Sequence, residues 1–249
     1  MSRTPFRLVR TAPTLEQALE AVSRYSVIGV DTETTSLSPF EGDVRLLQIA
    51  TPAQSFVIDL FDFPAVKHRG LRELLSSAQP VKVFHNAKFD LKMLLHHFNL
   101  EVHGVFDTLL ASQLIGAGRN EGGHGLAAVS DRHLGELVDK SMQLSDWSGP
   151  LSDAQYEYAA KDAELMLPLY EKLCLSLREL GLEAVAAIEF ECILPIAAME
   201  LAGMALDADC WRRLVIDLER AHDVLSDQLR RELAAGIPQL TLFGEPPNI

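Results

Sequence analysis

Asp31 and Glu33 stand two residues apart at the end of the apolar run Val27-Ile28-Gly29-Val30, just ahead of Thr34 and Leu37. The run reads as a strand, and side chains alternate faces along a strand, so both carboxylates point to the same side. Anions held that close raise each other's pKa unless a cation lies between them. A hard, oxygen-seeking divalent ion such as Mg²⁺ or Mn²⁺ suits such a pair. A D-x-E pair on its own commonly decorates a strand end, so a metal reading needs partners elsewhere in the chain.

Two later segments offer them. His85-Asn86-Ala87-Lys88-Phe89-Asp90 runs from a strand end into a helix, and Asn86 and Asp90, four apart, face one way if that helix begins at Asn86. Asn86 also suits an N-cap, and Asp90 suits the positive end of the helix dipole. Tyr158 and Asp162 are likewise four apart on one helical face, while Glu157, Lys161 and Glu164 fall on other faces as solvated charges. Each segment taken singly has an ordinary structural explanation. The combination and the order carry the functional argument: D-x-E, then N-x-x-x-D, then Y-x-x-x-D.

The elements that must hold these residues follow from pattern. Phe6 to about Leu180 alternates strands and helices. A helix is expected over Thr14–Tyr25 with Thr14 as its N-cap. Strands follow at Ser26–Asp31, Val44–Thr51 and Ser55–Leu60, separated by Pro39, Gly42 and Pro52, which predicts an antiparallel meander. A helix at Gly70–Ser77 leads to a strand at Pro80–Phe84. Helices then cover Lys88–His97, Phe106–Ile115, Gly125–Leu134 and Ser152–Glu179, giving an α/β fold with one mixed sheet flanked by helices. The glycine-rich stretch Gly116–Gly125 follows a helix rather than a strand, so it reads as a connection and not as a phosphate cradle. Beyond Glu179 the pattern is wholly helical, over Leu182–Ala202 and Ala208–Ala235, with Gly203 as a break. The turn-rich end Phe243–Ile249 reads as a linker or a cut within a larger protein.

Composition narrows the classes. With 249 residues, 48% of them hydrophobic, the chain can bury a full core and a smaller second unit. No stretch resembles a membrane span, and residues 1–13 lack the apolar centre of a signal peptide, so a cytoplasmic protein is expected. Cys174, Cys192 and Cys210 are far apart and suggest neither a disulfide framework nor a zinc site. The net charge of −13 argues against a protein that grips nucleic acid broadly by its phosphates. Residues 1–178 carry net −5 and residues 179–249 net −8, so the acidity is concentrated in the C-terminal third.

The three motifs resemble those of the DnaQ-like, ribonuclease H-like 3′–5′ exonucleases, in the tyrosine-bearing DEDDy branch. Asp31-Thr32-Glu33-Thr34 with Leu37, His85 to Asp90, and Tyr158 to Asp162 match its first, second and third motifs, and Phe106-Asp107-Thr108 and Asp139 to Trp147 are similar to stretches in ribonuclease D. The resemblance spans residues 5–178 and implies a ribonuclease H-like domain over 1–178. Residues 179–249, through Ile188–Pro195 and Met199–Asp207, resemble the helices that open the polymerase region of family A DNA polymerases. An all-helical extension over 179–249 is thus expected, with a polymerase region in the parent chain as a partner.

The implied activity is removal of nucleotides from a single-stranded DNA 3′ end with two divalent ions, about 4 Å apart in enzymes of this kind. Asp31, Glu33 and Asp162 are implied to hold one ion, Asp31 and Asp90 to flank the other. Tyr158 is implied to orient the attacking water, since a phenol near pKa ~10 is a poor base at neutral pH. Thr34, Leu37, Asn86 and Lys88 are the implied substrate contacts, with Arg119 and Lys140 as further phosphate partners. Two alternatives remain at this stage: a ribonuclease D-like exoribonuclease, and an inactive nucleic-acid-binding module. A monomer is expected.

Overall fold

The structure, a computed structural model, describes residues 5–117, 122–138, 142 and 145–236. Its strands are β1 (Phe6–Val9), β2 (Val27–Thr34), β3 (Val44–Ala50), β4 (Ser55–Asp59), β5 (Val81–Phe84) and β6 (Val105–Asp107). Its helices are α1 (Ala12–Val22), α2 (Arg69–Ser76), α3 (Ala87–Phe98), α4 (Thr108–Gly116), α5 (Leu126–Leu134), α6 (Asp153–Glu179), α7 (Glu183–Ala202) and α8 (Ala208–Gly236). The strands form one mixed sheet in the order β1-β4-β3-β2-β5-β6. The expected meander β2-β3-β4 is antiparallel, and β1, β5 and β6 join it in parallel.

The sequence reading differs from this at three places. β1 was not anticipated. Phe106 and Asp107, expected in a helix, pair with β5 as β6, and the helix starts at Thr108. Strands of three or four residues are too short to display a period, which explains both differences. The cap of α1 is Thr11, not Thr14: Thr11 Oγ1 accepts the Thr14 N–H at 3.4 Å. Pro13 then lies in the first turn, where the missing N–H costs nothing.

Alternation along β2 sorts the two layers. Ile28 and Val30 enter a core with Leu15 and Val22 of α1, Leu71 and Leu75 of α2, and Leu91 and Leu94 of α3. The opposite face carries α6, whose Ala159 and Ala160 pack on Leu46, Val57 and Trp147, and whose Met166 and Leu169 pack on Val83 and Phe106. The chain divides into two compact units, Met1–Ala202 and Gly203–Ile249. Thus α7, grouped by the sequence with the extension, is packed within the first unit, with Ile193 in the core beside α3 and Phe190 against Phe106 at 4.8 Å. The helix α8 belongs to the second unit and is mostly exposed. Among the described residues, no helix is long and apolar enough to cross a membrane.

One close approach sets the height of α6 above β2. A Cβ at Gly29 would lie 2.1 Å from the Ala163 carbonyl oxygen, so only glycine lets helix and strand meet there. The contact lies two residues before Asp31 on β2 and one after Asp162 on α6. We predict that Gly29→Ala destabilises the first unit by about 1–3 kcal/mol through overpacking, measurable by urea denaturation. An unchanged midpoint would mean that α6 has room to lift.

Candidate active site

The site is assembled from three elements. β2 presents Asp31 and Glu33 on the α6 side, with a register shift between Glu33 and Thr34 against β3. The extra residue at that shift is Arg45 on β3, so β3 carries the bulge while β2 runs on regularly through Glu33. α6 supplies Tyr158 and Asp162. Its start is fixed by a capping box, in which Ser152 Oγ accepts the Gln155 N–H and Gln155 Oε1 accepts the Ser152 N–H, at 3.3 and 3.0 Å. It is also tied to the sheet through Tyr156, whose hydroxyl donates to Asp59 Oδ2 at 3.0 Å and accepts from Arg10 at 3.0 Å. Arg45 completes that network with a buried pair to Asp59 at 2.9 Å. Trp147 packs beside Tyr158 with ring centres 6.4 Å apart.

One carboxylate oxygen from each of Asp31, Glu33 and Asp162 lies within 4.8 Å of the other two. Asp162 Oδ1 is buried and has no hydrogen-bond partner among the described residues. Three converging carboxylate oxygens are the donor set that a hard divalent cation takes. Asp90 stands behind this trio. It is buried, and its Oδ1 accepts the Thr32 hydroxyl at 2.5 Å.

The helix carrying Asp90 is not capped as expected. Asn86 occupies the N-cap position in a left-handed conformation (φ 67°), but its side chain makes no capping bond. Asp107 takes over: it accepts the Asn86 and Ala87 N–H groups at 3.0 and 2.8 Å, and caps its own helix α4 through Leu109 at 2.8 Å. One buried carboxylate therefore fixes two helix starts. A reading of the sequence could find half of this, since Asp-Thr before the apolar run of α4 is an N-cap signal. The second half, and the role of Thr32, come only from packing.

Burial acts on all four carboxyls, and at Asp31 and Glu33 repulsion from the other members of the group adds to it. Asp31 is raised well above the carboxylate range, first by loss of solvent, then by the charges of Asp90, Glu33 and Asp162. Glu33 is pushed up to about 8 by burial and by Asp162 and Asp90. Asp90 rises to about 7 through burial, opposed by the Thr32 hydrogen bond. Asp162 rises to about 6, again through burial, opposed by Tyr158. The Tyr158 phenol is driven upward by burial and by the charge of Asp162, so it stays protonated.

The sequence-derived substrate contacts are dispersed around this centre. Thr34 is engaged locally, its hydroxyl donating to the Ser36 carbonyl at 2.8 Å. Leu37 is 83% exposed in the loop after β2. Asn86 is exposed at the start of α3. Lys88 pairs with Glu200 of α7 at 2.6 Å, and Lys92 joins the same carboxylate at 2.9 Å. Arg119 and Lys140 lie outside the described residues.

Comparison with known proteins gives this geometry a family. A family model described as 3′–5′ exonuclease matches residues 6–178. The chain belongs to the 3′–5′ exonuclease family. This exonuclease domain is 32% identical to DNA polymerase I of Aquifex aeolicus, over 82% of this chain and 36% of that protein. It is 33% identical to ribonuclease D of Gluconacetobacter diazotrophicus, over 67% of this chain and 42% of that protein. The chain thus spans less than half the length of either. Two solved structures of Brucella melitensis NrnC, one bound to pGG and one with bound Mg²⁺, are 28% and 27% identical. Their TM-scores are 0.70 and 0.69, over 83% and 82% of this chain and 99% and 98% of theirs.

A pH dependence follows for the exonuclease domain. A carboxyl raised in the folded state binds more protons folded than unfolded, so stability falls as pH rises through the folded pKa. The window runs from the ordinary carboxylate range, near ~4, up to about 8, the value reached by Glu33. In EDTA the unfolding temperature is expected to drop between about pH 5 and about pH 8.5, with added Mg²⁺ restoring more of it at the higher pH. An unfolding temperature in EDTA that stays flat or rises over that interval would contradict the crowding of these carboxyls.

Proposed function

We propose that this domain removes nucleotides from the 3′ end of single-stranded DNA by metal-dependent hydrolysis of the terminal phosphodiester. The convergence of Asp31, Glu33 and Asp162, with Asp90 behind them, is the observation that carries the reading. Asp31, Glu33 and Asp162 would hold one divalent ion and Asp31 with Asp90 would flank a second. Bound there, Mg²⁺ or Mn²⁺ supplies water activation and stabilisation of charge on the attacking and leaving oxygens. The Mg²⁺ bound in a relative that matches most of this chain favours magnesium.

The chain's own groups have definable tasks. Tyr158, protonated and half-buried beside Asp162, donates a hydrogen bond that orients the attacking water and is too weak an acid to act as its base. Leu37, exposed in the loop that follows Glu33 and Thr34, wedges against the terminal base. Thr34, at the end of β2 beside Glu33, and Asn86, at the start of α3, hold the 3′ end of the substrate. Lys88 contacts phosphate in competition with Glu200, which neutralises it in the free protein. Among the described residues few cations attend the site, so weak, salt-sensitive substrate binding is expected of an acidic, cytoplasmic, monomeric protein.

DNA is favoured because the match to a DNA polymerase I covers a larger share of the chain than residues 6–178 and so runs past the exonuclease region. On that reading residues 179–249 open a polymerase region. The second reading is an RNA processor: a ribonuclease D is as similar in sequence, and a relative matched over 99% of its own chain is bound to pGG. Proteins tell the two polymers apart at the 2′-hydroxyl.

Matched DNA and RNA oligomers and pGG, each with Mg²⁺ or Mn²⁺, provide the test. Single-stranded DNA should be degraded at least about tenfold faster than RNA; faster loss of RNA, or cleavage of pGG alone, would overturn the DNA assignment. Asp31→Ala should lower the rate by roughly 10³-fold or more with the fold intact, and Tyr158→Phe by less, since it removes one hydrogen bond and no ligand. Asp31→Ala activity within about tenfold of the parent would sink the metal-centred mechanism.

A further inference from the structure

Gln48 lies on β3 directly opposite Asp31 in the β2–β3 register, and opposite Val57 on its other side. Directly paired residues of an antiparallel ladder point to the same face, with Cβ atoms about 4.5–5.5 Å apart. Gln48 therefore shares the α6 face with Asp31, as its neighbours on that face, Leu46 and Val57, already do by packing on Ala159 and Ala160. It is 0% exposed, and neither Nε2 nor Oε1 has a hydrogen-bond partner among the described residues. The unpartnered Asp162 Oδ1 belongs to the same helix-on-sheet layer.

A buried primary amide left unpaired is unfavourable, and a methionine or leucine of similar volume would fill the space without that cost. A glutamine is retained here one rung across from a carboxylate that must be ionised to bind a cation. An amide donor suits that task better than a lysine would, because it steadies the anion without bringing a positive charge to compete with the metal.

We propose that Gln48 is a positioning residue of the metal centre, donating from Nε2 to the ionised Asp31 carboxylate and holding it in the orientation that binds a divalent cation. This rests on reading Asp31, Glu33 and Asp162 as a metal centre. The register fixes the backbone of both partners side by side on one face.

Gln48→Met in the full chain separates this role from simple packing. Calorimetric titration with Mn²⁺ should show a dissociation constant raised by about tenfold or more, while the unfolding temperature in EDTA is equal to or above the parent's. A folded Gln48→Met that binds Mn²⁺ within about twofold of the parent overturns the proposal. A parent that binds no Mn²⁺ overturns the metal-centre reading and this inference with it, so the two failures are distinct. If Gln48→Met does not fold, the Gln48 side-chain amide resonances of the ¹⁵N-labelled parent are followed during a Mg²⁺ titration. They should shift with the binding midpoint, and resonances that stay fixed at saturation overturn the role.

Discussion

The repulsion among Asp31, Glu33 and Asp162, whose oxygens converge within 4.8 Å with Asp90 close behind, has to be withstood by the rest of the first unit. Each of these carboxyls would relax if its element moved away by a small distance. Loss of solvent makes the repulsion worse, because buried charge is screened less than exposed charge. The surrounding architecture reads as a set of restraints against that relaxation. Gly29 lets α6 settle onto β2, and the alanines of α6 keep it there. The Arg10, Tyr156, Asp59 and Arg45 network ties the first turns of α6 to the strands beneath.

Asp90 is restrained from two directions. Asp107 fixes where α3 begins, through the N–H groups of Asn86 and Ala87, and Thr32 fixes the carboxyl itself. Thr32 lies between the two metal-side carboxylates of β2 and points to the opposite layer, so one strand addresses both halves of the site. This explains how α3 and α6, on opposite faces of the sheet, serve a common centre. Beyond Glu33 the pairing with β3 shifts by one residue, Arg45 on β3 being the extra one, and β2 ends at Thr34 ahead of the loop that carries Leu37.

Much of this was legible in the amino-acid order, for physical reasons that differ by residue. Asp31 and Glu33 could be placed on one face because a strand has a period of two. Tyr158 and Asp162 could be paired because a long helix declares its own period. The meander was readable from Pro39, Gly42 and Pro52. What stayed hidden depends on contacts between distant segments. Asn86 looks like an N-cap in isolation, yet the cap is Asp107, and nothing local to Asn86 says so. Lys88 looks like a free cation until α7 folds back and brings Glu200 to it. Gln48 is an unremarkable strand residue until the register sets it across from Asp31.

Folding crowds these carboxyls so that they hold protons where a divalent cation would sit, and cation binding must therefore expel protons. Calorimetric titration of the full chain with Mg²⁺ at about pH 6.5, repeated in buffers of different ionisation enthalpy, measures that expulsion directly. The observed heat should vary with the buffer, reporting net proton release, and the dependence should weaken towards about pH 9, where Glu33, Asp90 and Asp162 have lost their protons before the cation arrives. Heats that bind Mg²⁺ yet do not depend on the buffer at either pH would contradict the account.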